Sequence, residues 1–410
     1  MRDRPLLNGP AGAIILAATA MALVRPAMAE VNLSGGVSVG SQYDTNARQL
    51  ANIEETPVDD DGKRRRDSVS MNASANVAAK LGGTGPLQGQ AVASYNHSDS
   101  MDQDALSHDD YTLGLNLDYR PGQVYDVSLV ASQTRAPIGL ADIGGTSTVE
   151  QTATNAQATL RVRPTPRWQL SFSPGWSETQ TPLAEADDFR LTTRTSSAAI
   201  QFLGSAQLVP GLGATRSESS YSGITNATRY TEQSAFATLN YKVTAVTNFS
   251  LSAGKSWRDT KLRDNSGTPG AGALEGGDSA FTGSLGITRQ LTAKTGINIS
   301  AFRNFQQYDA GVNTSIGTGF SVAVNWAATA RFSASLGTAY TQSVIDNVAF
   351  GNTTIKRTDL ERSYSLGMNY LATRMVTVSA SATRNVRRSE IWVDQYNSTV
   401  GSLSISIAFD

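Results

Sequence analysis

The chain has 410 residues and a formal net charge of −1, with 34 Lys and Arg against 35 Asp and Glu, and it contains no cysteine. The absence of cysteine excludes disulfides, thiolate metal sites and a lipid-modified N-terminal cysteine, and the balanced charge gives no reason to expect nucleic acid as a partner. After the first 30 residues no apolar run approaches the roughly 18 residues that a transmembrane helix needs, so a helical membrane protein is excluded.

The N-terminus has the pattern of a secretory signal peptide. Two of the first four residues are arginine, an apolar run covers residues 11–24, and residues 27–29 (Ala-Met-Ala) have the small-residue spacing of a cleavage site. The apolar run is shorter than the roughly 20 residues of a spanning helix. We therefore expect residues 1–29 to be removed, and a retained N-terminal anchor is the alternative.

The first long segment after the signal peptide alternates between apolar and polar residues. Within residues 67–81, every second residue from Val69 to Leu81 is apolar, and the residues between them are Ser, Asn, Ala or Lys. A period of two predicts a strand with one apolar and one polar face. Strands of a soluble β-sandwich average about five or six residues. A sandwich or a β-helix is therefore the weaker alternative.

Aromatic residues bound the apolar faces of later segments. Tyr111 and Tyr119 begin and end one such face, and Trp168 and Trp176 bound another. Eight residues on a strand tilted by about 40° cover roughly 20 Å of depth. This approaches the thickness of the apolar band of an outer-membrane barrel, whose two edges carry aromatic girdles. The predicted fold is an all-β, transmembrane, antiparallel up-and-down β-barrel.

The alternating segments predict about 18 strands, with 16 as the alternative. They cover residues 31–44, 67–82, 87–99, 108–120, 124–135, 149–164, 168–178, 189–209, 212–220, 228–243, 248–258, 278–291, 296–308, 313–327, 331–343, 358–371, 375–388 and 396–409. One turn has two possible positions, Pro210-Gly211 and Gly204. Tight turns alternate with longer polar loops, as expected when short turns face the periplasm and long loops face outward. We expect one domain, the barrel, over residues 30–410, integral to the outer membrane of a Gram-negative bacterium.

The last segment ends on an amphipathic strand. Apolar residues alternate with Ser and Ala from Leu403 to Phe409, and Asp410 follows. A closing strand with an aromatic residue at its end resembles the signal that the barrel-assembly machinery recognises. Here the aromatic residue is penultimate rather than last. We expect this machinery to be a partner during membrane insertion.

Few residues are suited to catalysis. Ser38 lies in a G-x-S-x-G pattern, but a nucleophile elbow needs a strand-to-helix turn and Ser38 falls within a predicted strand. The only histidines, His97 and His108, are the only candidates for the general base of a lipase or protease, and they fall at predicted extracellular strand ends. We predict no catalytic residue, no metal site and no cofactor.

The first long loop carries a charge run. Residues 59–61 are Asp and residues 63–66 are Lys-Arg-Arg-Arg. Paired acids suit divalent cations, and arginine suits the phosphates of lipopolysaccharide. The simpler interpretation is a solvated loop. A different feature marks the third long loop, residues 136–148, which is more apolar than a free loop, and we expect it to fold into the barrel and narrow it.

The polar faces of the strands are where function is expected, because side chains that line a barrel set its selectivity. The pore-lining candidates are Lys80, Gln88, Gln90, Asp118, Asp126, Asn155, Gln157, Arg161, Arg163, Phe302, Asn304, Gln306 and Tyr308. Amides, hydroxyls and a few aromatics suit sugar hydroxyls and ring faces, whereas an ion-selective porin would show ladders of one charge. The alternative is that these polar groups only line water.

A short motif at the end of the first segment resembles a known family. Tyr43-Asp44-Thr45-Asn46 is similar to the Y-D-[ST]-N that follows the opening strand in the beta-barrel porin 2 family, which includes EpsL-like barrels encoded in exopolysaccharide operons. The signal peptide and the repeated amphipathic hairpins extend the likeness over the whole chain. The resemblance implies an outer-membrane barrel that helps polysaccharide cross the membrane, and it carries over no site residues.

A barrel of 16 to 18 strands leaves an aqueous channel. The sequence therefore predicts a channel that supports exopolysaccharide export, with polysaccharide, a periplasmic export component and the synthesis complex as partners and with outer-membrane lipid and lipopolysaccharide around it. A general or sugar-selective diffusion porin is the alternative. A barrel enzyme acting on lipid or polysaccharide is disfavoured by the shortage of histidine and the lack of a carboxylate pair.

Overall fold

The computed structural model describes residues 31–47, 67–82, 85–103, 106–138, 149–182, 189–222, 228–262, 276–306, 315–350, 353–390 and 395–409. The predicted signal peptide, the charge run at 59–66, most of the third long loop and Tyr308 lie outside these residues. Their predictions therefore stand as made. The described part of the chain contains no helix that is long and apolar enough to cross a membrane.

The described residues form 18 strands, all paired in one sheet. In chain order they are β1 (Val31–Asp44), β2 (Ser68–Leu81), β3 (Leu87–Ser100), β4 (His108–Tyr119), β5 (Tyr125–Pro137), β6 (Glu150–Thr165), β7 (Trp168–Thr181), β8 (Phe189–Phe202), β9 (Leu208–Ser222), β10 (Thr228–Thr244), β11 (Thr247–Leu262), β12 (Gly276–Thr292), β13 (Thr295–Gln306), β14 (Ser315–Ala327), β15 (Phe332–Phe350), β16 (Thr353–Leu371), β17 (Val376–Ser389) and β18 (Tyr396–Phe409).

Each strand pairs antiparallel with the next, and the last strand closes the sheet onto the first. The β1–β18 register runs from Gly35↔Phe409 to Asp44↔Val400, while the other side of β1 pairs with β2. Closure satisfies the backbone hydrogen bonds of both strands that would otherwise be edges. The predicted closed, antiparallel, up-and-down barrel of 18 strands is confirmed.

The two faces of the sheet differ in exposure as well as in polarity. In β7 the apolar residues Trp168, Leu170 and Phe172 are 43%, 45% and 49% exposed, whereas the alternating residues Gln169 and Ser171 are only partly exposed. A closed sheet encloses the side chains on its concave face and exposes those on its convex face. The apolar face is therefore the outer face, and the polar face is the inner face.

Aromatic side chains lie on the outer face at two levels. Tyr111, Tyr119, Trp168 and Trp176, which were predicted to form the girdles, all have the outward-facing register. Other outward aromatics near the short turns are Tyr241, Trp326, Tyr370 and Phe409, and those nearer the other end are Tyr43, Trp257, Phe281 and Tyr364. Between the two levels the outer face is mostly Val, Leu, Ile, Ala and Gly.

The connections divide the barrel into two ends. At one end, here the short-turn end, eight connections span residues 82–86, 120–124, 166–167, 203–207, 245–246, 293–294, 328–331 and 372–375. At the other, the long-loop end, the connections reach from residue 45 to residue 67 and from 263 to 275. Gly82, with a φ of 84°, makes the first short turn, where the carbonyl oxygen of Leu87 would lie 2.3 Å from an added Cβ.

Of the two alternative turns before β9, the one at Gly204 is confirmed and the one at Pro210-Gly211 is wrong. The turn before β9 is at residues 203–207, around Gly204, and Pro210-Gly211 lies within β9. The Ser205 hydroxyl accepts hydrogen bonds from the backbone N–H groups of Gln207 and Leu208 and so stabilises the turn. Pro210 lies one residue past the last β8–β9 pair, Gln201↔Gly211, where proline's missing N–H is tolerated because only β10 pairs with it.

The second difference is the hairpin of β15 and β16. The predicted strands stop at residue 343 and restart at 358, whereas the observed strands continue to Phe350 and begin at Thr353. The register shifts between Ile345 and Val348, so a bulge interrupts the pairing there. Because the bulge breaks the alternation of apolar and polar residues, the part of this hairpin beyond the bulge does not show the period of two that predicts a strand.

The Tyr43–Asn46 motif joins the two ends of the barrel sheet. The Asp44 carboxylate accepts hydrogen bonds from the Ser398 hydroxyl (2.6 Å) and the Asn46 N–H (2.8 Å). The Asn46 side chain donates to the Asn397 carbonyl (3.2 Å), and Thr45 exchanges two bonds with Thr399. In this chain the motif therefore fastens the end of β1 to the beginning of β18.

Candidate functional site

Hydroxyl groups dominate the inner face. Each strand contributes at least one Ser or Thr to it, and together these residues are here called the hydroxyl belt: Ser38, Ser74, Ser94, Thr112, Ser132, Thr159, Ser173, Ser197, Thr215, Ser234, Ser252, Ser284, Ser300, Ser321, Ser335, Ser365, Ser381 and Ser402. Several contact each other across strands, including Ser38–Ser74 at 2.6 Å and Ser300–Ser321 at 2.7 Å. The belt offers donors and acceptors without charge.

Charged residues on the inner face lie toward the two ends of the barrel. Over the described strands they are Asp44, Lys80, Asp110, Asp118, Asp126, Arg161, Arg163, Glu232, Lys242, Arg258, Asp278, Arg357, Asp359, Glu361 and Arg387. Acidic and basic residues occur in nearly equal number, and several pair with each other. Across the middle of the described inner face there is no charged side chain, so no ladder of one sign lines the barrel.

A charged network lies at the short-turn end. Asp126 accepts hydrogen bonds from Arg161 (2.8 Å) and Arg163 (3.3 Å). Arg163 also donates to Gln169 (3.0 Å), whose amide donates to Gln201 (3.1 Å). Asp126 is 6% exposed. The pairing with two arginines offsets the cost of enclosing this carboxylate, and it holds both guanidinium groups against the wall.

A second network lies at the long-loop end. Asp359 is 2% exposed and accepts from Arg357 (2.6 Å) and Arg387 (3.0 Å), which are themselves buried. Glu361 lies 3.6 Å from Arg387. These residues stand on the paired inner faces of β16 and β17. They fix the two strands at the level where the bulged hairpin begins.

Arg258 spans the inner wall near the same end. Its guanidinium pairs with Glu232 at 2.8 Å, donates to the Gln306 carbonyl at 3.1 Å, and lies over the rings of Tyr230 (4.8 Å) and Phe305 (4.6 Å). The β12–β13 pairing ends at Gly283↔Arg303, below this level. Arg258 therefore bridges the wall where those two strands separate. Tyr230 also packs with Leu191 and Tyr221 in a small buried cluster.

Two aromatic side chains of the inner face lie close to glycines of adjacent strands. An added Cβ at Gly213 would lie 2.6 Å from the ring of Phe236, and one at Gly319 would lie 2.7 Å from the ring of Phe302. Each ring therefore covers a neighbouring glycine on the next strand. Glycine permits this close approach because it has no side chain. Both aromatic residues are partly exposed on the inner face, beside hydroxyl-bearing strands.

The register puts the predicted pore-lining residues on the inner face, apart from Tyr308, which lies outside the described residues. Those that pair directly are Lys80↔Gln90, Gln88↔Asp118 and Asp126↔Arg161, and the others are Asn155, Gln157, Arg163, Phe302, Asn304 and Gln306. The structure brings Asp126, Arg161 and Arg163 into one network. That any of them contacts a passing solute stays a prediction.

Sequence reasoning did not identify Arg258, Glu232, Arg357, Asp359 or Arg387. A local signal exists for one group, because Arg357, Asp359 and Glu361 alternate on one face of a strand with opposite charges. No local signal joins Arg258 to Glu232, since that contact depends on the register of two strands.

The two histidines are not arranged as the base of a catalytic triad. His97 faces outward and pairs with Asp109 at 2.8 Å, and Asp109 also accepts from the Tyr95 hydroxyl at 2.7 Å. His108 faces inward opposite Ser98, but its two ring nitrogens face the Leu106 carbonyl (2.8 Å) and Asp110 (3.5 Å). Neither nitrogen is therefore placed to accept a proton from Ser98.

Ser38, the other candidate nucleophile, is paired with Ser74 on the inner face of β1. It lies in the middle of a strand, so it lacks the strand-to-helix turn of a nucleophile elbow. In the part of the chain that the structure describes, no three carboxylate or imidazole side chains come together as metal ligands.

Comparisons with known proteins give only distant likenesses. No family model matches the chain, and no curated protein matches its sequence. The fold is similar to that of Pseudomonas aeruginosa OpdQ (10% identity, TM-score 0.45, 92% of this chain and 97% of that chain). It is also similar to Acinetobacter baumannii OccAB3 (8%, 0.46, 92% and 99%) and to the siderophore receptor PirA from Pseudomonas aeruginosa (11%, 0.46, 92% and 80%).

Proposed function

We propose that the protein is an integral outer-membrane channel for an uncharged, hydroxyl-rich solute, and that this solute is a secreted polysaccharide. The observation that carries the proposal is the hydroxyl belt, which surrounds the middle of the inner face without a charged residue among the described strands.

Membrane insertion follows from the outer face. A soluble protein would not present a ring of exposed Leu, Ile, Val and aromatic side chains around a closed sheet. The same surface is stable in lipid, where an apolar band of about 25 Å lies between two aromatic girdles. With the short turns in the periplasm, the long loops face the outside, as is usual for such barrels.

Passage follows from the size of the barrel and the chemistry of its interior. An 18-stranded barrel is wide enough for an aqueous lumen. Serine and threonine hydroxyls exchange hydrogen bonds with sugar hydroxyls at little net cost, because each replaces a similar bond to water. The partly exposed rings of Phe236 and Phe302 suit the apolar faces of sugar rings. A neutral interior neither traps nor repels a long neutral polymer.

The choice of an exported polymer over a small solute is supported by the resemblance of Tyr43–Asn46 to barrels encoded in exopolysaccharide operons. The implied partners are a periplasmic export component and the synthesis complex. In this chain the motif closes the seam, and its inward-facing Asp44 carboxylate is held by Ser398 and Asn46. The motif is therefore used here only as the mark of a type of barrel.

The test is secretion of polysaccharide by a strain that lacks the gene. We expect deletion to abolish surface polymer and the wild-type gene to restore it. A Ser252→Arg/Ser300→Arg variant, which puts two charges into the hydroxyl belt, should restore it poorly. Leu251→Phe, on the outer face of β11 next to Ser252, serves as the matched control and should restore polymer secretion fully.

The alternative function is a diffusion porin for small sugars, favoured by the same neutral interior. It is accepted if deletion leaves polymer secretion intact while the purified protein lets small sugars into liposomes. An enzyme acting on lipid or polysaccharide has no supporting arrangement among the described residues. Hydrolysis of either substrate by the pure protein, lost on replacing His97 and His108, would overturn both channel proposals.

A further inference from the structure

Three arginines form a cluster on the outer wall, toward the long-loop end. Arg362 of β16 pairs in register with Val386 of β17, so Arg384 and Arg388 lie two residues to either side of its partner. All three are exposed on the outward-facing register. Residues related in this diagonal way on adjacent strands are within reach of one ligand. These three residues are here called the arginine cluster.

The charge of this cluster is unmatched, unlike that of three outward arginines elsewhere on the barrel. Elsewhere on the outer face Arg190 pairs with Glu178 (3.8 Å), Arg216 pairs with Glu218 (2.7 Å), and Arg135 pairs with Glu150. Within the described residues, no member of the arginine cluster forms an ion pair.

The surroundings of the cluster leave its charge free. Arg362 lies 5.8 Å from the ring centre of Tyr340, a contact that orients the guanidinium but does not neutralise it. The nearby Glu390 carboxylate forms no ion pair with these arginines, and it accepts a hydrogen bond from the Thr358 N–H (3.3 Å).

An apolar groove adjoins the cluster on the side of the short turns. It has a volume of about 490 Å³ and crosses β14 to β18. Its lining includes Val324, Leu336, Leu366 and Ala382, and Arg384 stands at its edge. The register puts Leu366↔Ala382 next to Tyr364↔Arg384, so the groove continues directly from the arginine cluster into the apolar band. A depression in the lipid-facing wall would otherwise have to be filled by mobile lipid chains.

We propose that this corner of the outer wall binds lipopolysaccharide, with a phosphate of lipid A on the arginine cluster and one acyl chain in the groove. Arginine guanidinium groups bind phosphate through paired hydrogen bonds that are stronger than those between neutral groups. The ligand must carry phosphate and acyl chains at the depth where the polar end of the band begins.

The choice of lipopolysaccharide rests on the orientation in the proposed function, which puts the long-loop end in the outer leaflet. Lipid A is the phosphorylated lipid of that leaflet. The phosphate would neutralise a charge that no described side chain matches, and the chain would fill space that no side chain fills.

The test is lipid binding by the purified full-length barrel in detergent, measured by native mass spectrometry and by the rise in unfolding temperature. We expect wild-type protein to prefer lipid A over its dephosphorylated form and over phosphatidylglycerol by at least tenfold. R362Q/R384Q/R388Q should lose that preference. R190Q/R216Q, which removes paired arginines from the same outer face, should keep it.

A second variant tests the groove, and it keeps the proposal testable if the triple variant does not fold. Ala382→Trp fills the groove and leaves the charges in place, so it should weaken lipid A binding and leave binding of inorganic phosphate unchanged. Arg384→Gln alone should weaken both. Equal binding of lipid A and its dephosphorylated form by wild type, or tighter binding of phosphatidylglycerol, would overturn the proposal. Because no transport is measured, these outcomes are separate from those of the polymer-secretion test.

Discussion

The Asp44 carboxylate accepts a hydrogen bond from the Ser398 hydroxyl at 2.6 Å, although the two residues lie 354 positions apart in the chain. The bond crosses the seam where the last strand meets the first. The first strand pairs on one side with β2 and on the other with β18, so this bond exists only when the barrel is closed. A charged acceptor at this position strengthens a junction that no covalent turn supports.

Asp44→Ala should weaken the closed barrel. The substitution leaves the Ser398 hydroxyl and the Asn46 N–H without their acceptor, and we expect a loss of about 1–3 kcal/mol in the free energy of unfolding. Urea unfolding of the refolded protein in detergent measures this. Asp99→Ala, which removes an exposed outward carboxylate, should change stability by less than about 0.5 kcal/mol. Equal effects of the two variants would rule out a special role for the seam.

Asp359→Asn should cost more than the seam variant. It removes the buried carboxylate that pairs with both Arg357 and Arg387, and removing one partner of a buried ion pair costs about 3–5 kcal/mol. The same urea titration gives the magnitude. Glu361→Gln is the matched control, because its carboxylate is 53% exposed and lies 3.6 Å from Arg387. An effect of Asp359→Asn no larger than that of the control would contradict the assignment.

The strands were predictable because their signal is local. Alternation of apolar and polar residues names the strand and its two faces without reference to any neighbour. It failed at Pro210-Gly211, which is a strong turn signal in sequence, because the turn is instead stabilised by Ser205 hydrogen bonds that a sequence pattern does not reveal. It also failed at Ile345, where a bulge breaks the period.

The networks were less predictable than the faces. The alternation of apolar and polar residues predicts that Arg258 and Glu232 lie on the inner face. Their contact with each other depends on the register of β10 against β11. Arg357 was assigned to a loop because the predicted strand began one residue later. Phe302 was predicted to line the interior, whereas the contact of its ring with Gly319 depends on how β13 pairs with β14. These contacts between strands therefore depend on the register, which the pattern of a single strand does not reveal.

Ser74→Lys should change the ion selectivity of the channel. Ser74 belongs to the hydroxyl belt and contacts Ser38 at 2.6 Å, so a lysine there puts a positive charge into a neutral interior. We expect wild type to show little preference between potassium and chloride, and the variant to favour chloride. Reversal potentials across a planar bilayer with a salt gradient measure this. Ser74→Gln, which changes size but not charge, should match wild type, and an equal shift in both variants would argue against electrostatic selectivity.

Phe302→Ala and Phe236→Ala should each weaken the interaction of the channel with sugar chains. Each ring is partly exposed on the inner face. We expect the loss of one ring to cost about 1 kcal/mol of binding free energy, or roughly a fivefold increase in the dissociation constant. Blocking of single-channel current by a neutral oligosaccharide measures the constant. Phe320→Ala is the control, because Phe320 stacks on Tyr340 on the outer face, with ring centroids 5.6 Å apart. If the oligosaccharide blocks the current through the inner-face variants as strongly as it blocks wild type, the two rings do not bind sugar and serve only to cover Gly213 and Gly319.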